Sequence, residues 1–174
     1  MSAASPTGAS GAFTVTTPDG AVLQAFVEGA GPALLLVSGL GGTAGFWKGT
    51  TATLARSFRV IRFDQRGIGA STRGSATCTI DQLARDGLSV LDAAGVERAV
   101  LLGHSTGGCI GQALGRIAPE RVTGRELACL AAGFPFALWL AKRARSEWLK
   151  QGVWICLTVP FFLDPSARTL VWRA

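Results

Sequence analysis

Apolar and polar positions alternate at the start of the chain and then give way to short, wholly apolar runs. Phe13-Thr14-Val15-Thr16-Thr17 alternates, Pro18-Asp19-Gly20 supplies a turn, and Ala21 to Glu28 resumes strand-like character, which predicts an antiparallel hairpin. Gly29-Ala30-Gly31-Pro32 breaks the pattern. Ala33-Leu34-Leu35-Leu36-Val37 then reads as a strand of the buried, parallel kind, and Arg59 to Phe63 and Ala99 to Leu102 read as the strands that follow. Phe46 to Arg56 predicts a weak helix. A stronger one opens at Thr79-Ile80-Asp81-Gln82, a capping box. Its apolar face is Ile80, Leu83, Ala84, Leu88, Leu91 and Ala94, and Gly95 suits the position just past its end. After Ser105, a stripe of Ile110, Ala113, Leu114 and Ile117 predicts another helix, which Pro119 ends. Gly107, Gly108, Gly111 and Gly115 weaken that helix by about 1 kcal/mol each relative to Ala, which makes sense if it lies close to a sheet. Glu126 to Gly133 reads as a strand, Phe136 to Leu149 as helix-like, and Val153 to Leu163 as a second apolar stretch.

The candidate chemistry sits where the strand from Ala99 runs into Gly103-His104-Ser105-Thr106-Gly107. A Gly-x-Ser-x-Gly pentapeptide between a strand and a helix is the sequence form of a nucleophile elbow, in which a sharp turn exposes the serine on a helix N-terminus. Two further motifs precede it in order. Ser38-Gly39-Leu40-Gly41-Gly42 follows the first buried strand and has neither Gly-x-Gly-x-x-Gly nor a Gly-Lys-Ser/Thr ending. Asp64-Gln65-Arg66-Gly67-Ile68-Gly69-Ala70-Ser71 follows the second. In that loop the glycines permit a tight turn, and Asp64 either pairs with Arg66 or holds loop N–H groups.

With these motifs in that order, the sequence resembles the α/β-hydrolase superfamily. The resemblance implies a three-layer α/β-hydrolase sandwich with a mostly parallel sheet, stopping after about the sixth strand and the start of a helical cap. It divides the chain into a flexible leader (1–11), the N-terminal part of the core (12–133) and a partial helical cap (134–174). It makes Ser105 the catalytic nucleophile, and the backbone N–H groups of Leu40 and Thr106 the oxyanion hole. The Asp64 loop becomes a structural element of the pocket floor, since the family's catalytic acid lies later in the chain. Phe134, Phe136, Trp139, Trp148, Trp154, Phe161 and Phe162 would line an apolar pocket. The serine and its sequel look like the esterase, enol-lactonase and aminoacrylate-hydrolase branch, with small ester, lactone or amide-like substrates.

Triad order in this fold is Ser, then an acid, then His. Beyond Ser105 the acids are Glu120, Glu126, Glu147 and Asp164, and no histidine follows. The one histidine, His104, is the variable residue of the pentapeptide, expected to face away from the Ser105 hydroxyl. The expectation is therefore an N-terminal portion of a hydrolase, inactive alone. The alternative is a non-catalytic pseudo-hydrolase that binds a small ligand or a protein partner.

Composition narrows the remaining classes. A content of 48% hydrophobic and 16% charged residues fits a sheet covered by helices. The net charge of +6 comes from scattered basic residues without interleaved aromatics, which argues against nucleic acid as a partner. Cys78, Cys109, Cys129 and Cys156 form no Cys-x-x-Cys pair, so the expectation is buried reduced thiols in a cytoplasmic protein, with no metal and no cofactor. Met1 to Ser10 lacks the basic and apolar regions of a secretory signal. Leu127 to Ala141 is uncharged but broken by Gly133 and Pro135, and shorter than the roughly 20 residues of a membrane span. A bare sheet edge near Glu126 would invite self-association.

Overall fold

The structure, a computed structural model, describes residues 10–123 and the strand backbones of 128–130 and 155–157. The hairpin forms as β1 (Gly11–Thr16) and β2 (Val22–Glu28), paired in antiparallel register with Phe13 opposite Ala25. Then come β3 (Ala33–Val37), a 3-10 turn at Ala44–Trp47, α1 (Lys48–Leu54), β4 (Arg59–Phe63) and α2 (Ile80–Ala93). β5 (Val100–Gly103) leads into α3 (Thr106–Ile117) and a second 3-10 turn at Pro119–Arg121.

The five strands make a mixed sheet in the order β1-β2-β4-β3-β5. β2 meets β4 antiparallel, and β4, β3 and β5 run parallel, with Leu35 opposite both Ile61 and Leu101. Because side chains alternate across a strand, β3 feeds two cores. Leu35 and Val37 join Leu23, Ile61, Phe63 and Leu101 beneath Leu83, Val90 and Leu91 of α2 and Ile110 and Leu114 of α3. Leu34 and Leu36 join Val60, Trp47 and Leu54 on the face that α1 covers. This two-sided burial is why β3 has no polar position.

Local chemistry closes α2 at both ends. Thr79 Oγ1 accepts from the Gln82 N–H at 3.1 Å, but the Gln82 side chain does not complete the capping box. It donates instead to Asp86 Oδ1 at 3.2 Å, because that buried carboxylate has lone pairs to satisfy. At the other end Gly95 takes φ +65°, and the N–H groups of Gly95 and Val96 donate to Asp92 O and Leu91 O, a Schellman closure.

Chain order places the site. From β3 the chain crosses to β4 on one side and then returns to β5 on the other, so the order reverses at β3. Ligands of open α/β sheets bind where such a reversal leaves a crevice at the carboxyl ends of the strands. Those ends here are Ser38-Gly39 and His104-Ser105.

Among the later residues, β6 (Ala128–Leu130) and β7 (Ile155–Leu157) pair in parallel with Cys129 opposite Cys156. β6 falls within the stretch expected as a strand, Glu126 lies outside the described residues, and β7 falls within the second apolar stretch. The expected helix at Phe136 to Leu149 and the seven aromatic residues of the expected pocket lie outside the described residues. The expectation of buried thiols fails at the two cysteines whose side chains are described. Cys78 is exposed and Cys109 half-buried. Cys78 lies in the polar loop before Thr79, where no apolar run packs over it.

Candidate active site

Ser105 is the only non-glycine among the described residues with positive φ, at 54° with ψ −122°. It caps the N-terminus of α3 and is exposed. A side chain at such angles costs about 1–3 kcal/mol, so the surroundings must force it. The glycines on either side show how. A Cβ on Gly103 would lie 2.5 Å from Gly108 N, and one on Gly107 would collide with the Val37 carbonyl and come within 2.7 Å of the Ser38 carbonyl. The turn therefore wedges α3 against the ends of β3 and β5. His104 N–H donates to Val37 O at 3.0 Å, and Gly107 N–H donates to His104 O at 2.9 Å.

The loop after β3 lies against this turn. A Cβ placed on Gly39 would be 3.2 Å from Ser105 Cβ and 3.2 Å from His104 Nδ1. Gly42 N–H donates to Gly39 O at 2.9 Å, and Gly41 takes φ +70°, as the third position of a type II turn requires. In a trans peptide the N–H points opposite the carbonyl, so fixing Gly39 C=O also fixes the Leu40 N–H. Leu40 is 86% exposed, with its side chain held off the core. Among the described residues neither Leu40 N–H nor Thr106 N–H donates to a protein group, and Thr106 stands at the first position of α3, where an N–H has no partner within the helix. The described geometry thus brings Gly39 against an exposed serine, and the Leu40 and Thr106 N–H groups belong to the residues that follow these two. Such a set can take up an electrophilic carbonyl and the negative charge that develops on its oxygen.

His104 is half-buried, and its ring stacks on Phe46 at 4.6 Å between centroids and 32° between planes. Phe46, 42% exposed, is in turn edge-on to Trp47. Nothing in the apolar pattern pointed to this stack.

The Asp64 loop resolves the two partners left open for Asp64. Its carboxylate holds N–H groups, accepting from Ala44 at 2.7 Å and Ala70 at 3.0 Å. Arg66 turns elsewhere, and all five of its N–H donors are used. Nε and Nη2 reach Asp86 at 2.6 Å each, Nη1 and Nη2 reach Asp19 at 2.8 and 3.1 Å, and Nη1 reaches Arg73 O at 3.2 Å. The Arg66 side chain is fully buried, and that of Asp86 is 1% exposed. The Asp19 carboxyl is held well below the usual carboxylate range, first by Arg66 and then by the Thr17 hydroxyl and the Ala76 N–H. The same two carboxylates raise Arg66 above its ordinary value. This network staples the hairpin turn, the Asp64 loop and α2 behind the site.

Among the described residues no group of three or more His, Cys, Asp or Glu gathers as a metal site, and no helix is long and apolar enough to cross a membrane.

A family profile described as the alpha/beta hydrolase fold matches residues 32–150. RutD of Azorhizobium caulinodans, whose name is that of a carbamate hydrolase, is 48% identical over 96 residues, 55% of this chain and 36% of its own length. The RutD of Variovorax paradoxus is 45% identical over 94 residues, 53% of this chain and 35% of its own. The chain thus spans about a third of the length of these curated relatives. Among solved structures, a hydrolase from Pseudomonas aeruginosa PA01 superposes with a TM-score of 0.63 at 37% identity, over 78% of this chain and 54% of that one. The epoxide hydrolase VrEH1 from Vigna radiata gives 0.63 at 26% identity, over 72% and 41%. With the profile covering more than half of its residues, this chain belongs to the alpha/beta hydrolase fold family.

Proposed function

We propose that Ser105 is the nucleophile of a hydrolase for small ester, lactone or amide-like substrates, a cytoplasmic protein of which this chain is one part. The observation that carries the reading is the forced backbone of Ser105 at the head of α3, with Gly39 packed against its Cβ. Ser105 Oγ attacks the acyl carbon and gives its proton to a base. The carbonyl oxygen becomes an oxyanion facing the N–H groups of Leu40 and Thr106. Collapse expels the alcohol or amine, which takes the proton, and water then releases the acyl group by the reverse sequence. A carbamate, the substrate class in the relatives' name, is one such amide-like acyl donor.

The base and its carboxylate come, on this reading, from the portion of the relatives' length that this chain does not span. The single histidine stacks on Phe46, which supports a packing role for it. The test is covalent labelling of the complete protein, in which that base is present, with a fluorophosphonate, followed by peptide mapping. One phosphonyl group on the Ser105 peptide, absent from Ser105→Ala, is the expected result. Labelling of other residues only would remove the nucleophile assignment. The solitary histidine also favours a second reading, a non-catalytic binding protein. Thermal stabilisation by a small ester or lactone with no labelling and no turnover would select it.

A further inference from the structure

We infer that Gln65 is a positioning residue for the oxyanion loop, an inference that rests on the proposed serine chemistry. Gln65 is 3% exposed, and its Nε2 donates to the carbonyl of Ser38 at 2.7 Å. Ser38 is itself 1% exposed, so that carbonyl has no water to turn to if Gln65 is lost. The geometry reaches the reactive end in two steps. Fixing Ser38 C=O fixes the Ser38–Gly39 peptide plane, and with it the place where Gly39 meets Ser105 Cβ and His104 Nδ1 at 3.2 Å from its would-be Cβ. From Gly39 the turn bond with Gly42 then sets the direction of the Leu40 N–H.

The far side of the loop is anchored separately. Ser38 Oγ donates to Thr43 O at 2.9 Å, and Ala44 N–H donates to Asp64 at 2.7 Å. These bonds hold the end of the loop remote from Ser105. Gln65 alone among them grips the carbonyl one peptide before Gly39. A donor is required there because the partner is a carbonyl, so the amide nitrogen and not its oxygen faces Ser38. Gln65 touches no reacting atom and acts through the loop.

Gln65→Leu removes the donor, and Gln65→Glu replaces it with a group that donates only when protonated. In the complete protein the rate of fluorophosphonate labelling at Ser105 is expected to fall about 10- to 100-fold in Gln65→Leu, the range seen when a catalytic group shifts by a fraction of an ångström to an ångström. In Gln65→Glu the rate relative to wild type, measured at each pH, should recover as the pH falls and the carboxyl regains its proton. Compared at pH values where both proteins are fully folded, a residue needed only for folding would not give that pH-dependent ratio. Amide hydrogen exchange at Gly42 is the second readout, with Leu35 of β3 as the internal reference. Faster exchange at Gly42 alone in Gln65→Leu is expected. Normal labelling in Gln65→Leu, or a pH-independent ratio in Gln65→Glu, overturns the inference while leaving Ser105 as nucleophile. Absence of labelling in the wild type overturns the serine reading, and the Gly42 exchange then decides the loop claim, unchanged exchange refuting it.

Discussion

Replacing Arg66 with Met tests how the site is held from behind. The arginine spends five donors on two carboxylates and one carbonyl, with its side chain fully buried and that of Asp86 1% exposed. Met fills much of the same volume but leaves Asp86 as a buried, unpaired charge. Removing one partner of a buried pair costs about 3–5 kcal/mol, most of it the desolvation of the charge left behind. The Asp19 side chain, 17% exposed, regains water and adds less. At roughly 2–4 °C per kcal/mol for a chain of this size, the melting temperature should fall by about 6–20 °C. Urea unfolding followed by tryptophan fluorescence measures the free energy, and calorimetry the temperature. The double variant Arg66→Met/Asp86→Leu removes both buried charges and should recover a large share of the loss. Arg66→Lys keeps a countercharge beside Asp86 but loses the planar fork and two donors, so its loss should fall between wild type and Arg66→Met. A loss below about 1 kcal/mol in Arg66→Met, or a double variant no better than the single, would refute the claim that this pair staples α2 to the Asp64 loop.

Other substitutions separate strain from chemistry. Ser105→Gly relieves a strained backbone and should raise stability by about 1 kcal/mol while abolishing labelling, as urea unfolding and peptide mapping would check. Gly107→Ala drives a methyl into the Val37 carbonyl and should cost at least about 1–3 kcal/mol, seen as a lowered urea midpoint. The depressed Asp19 carboxyl means that the unfolded chain takes up a proton near pH 4 that the native chain refuses. Its contribution to stability is therefore present above that pH and is lost as the pH falls through the acid range. Melting temperatures taken between about pH 2 and 6 should fall less steeply with acid in Asp19→Asn than in wild type.

The elements legible in the sequence are those where one local rule decides. β3 reads as a buried strand because helices cover both of its faces, leaving no polar position. α2 reads as a helix because Thr79 and Gly95 bracket a 3.6-residue stripe. The elbow was visible because two glycines flank a serine between a strand and a helix, and the collisions a Cβ would meet there are the reason for both. What stayed hidden depends on partners far along the chain. Arg66 meets Asp86 and Asp19 across 20 and 47 residues, so the motif offered Asp64 as a nearer partner, which the fold assigns to backbone N–H groups. Gln65 occupies a variable place in its motif, and only the fold brings it to Ser38. Gln82 looked like half of a capping box until the buried Asp86 drew its side chain inward.

If Ser105 is the nucleophile proposed, its hydroxyl takes an acyl group. The direct test is to mix the complete protein with excess p-nitrophenyl acetate, quench, and map the modified peptides by mass. One acetyl group on the peptide containing Ser105 is expected, accompanied by at least an equal amount of released p-nitrophenol, and neither in Ser105→Ala. Acetyl groups spread over lysines with Ser105 unmodified would contradict it.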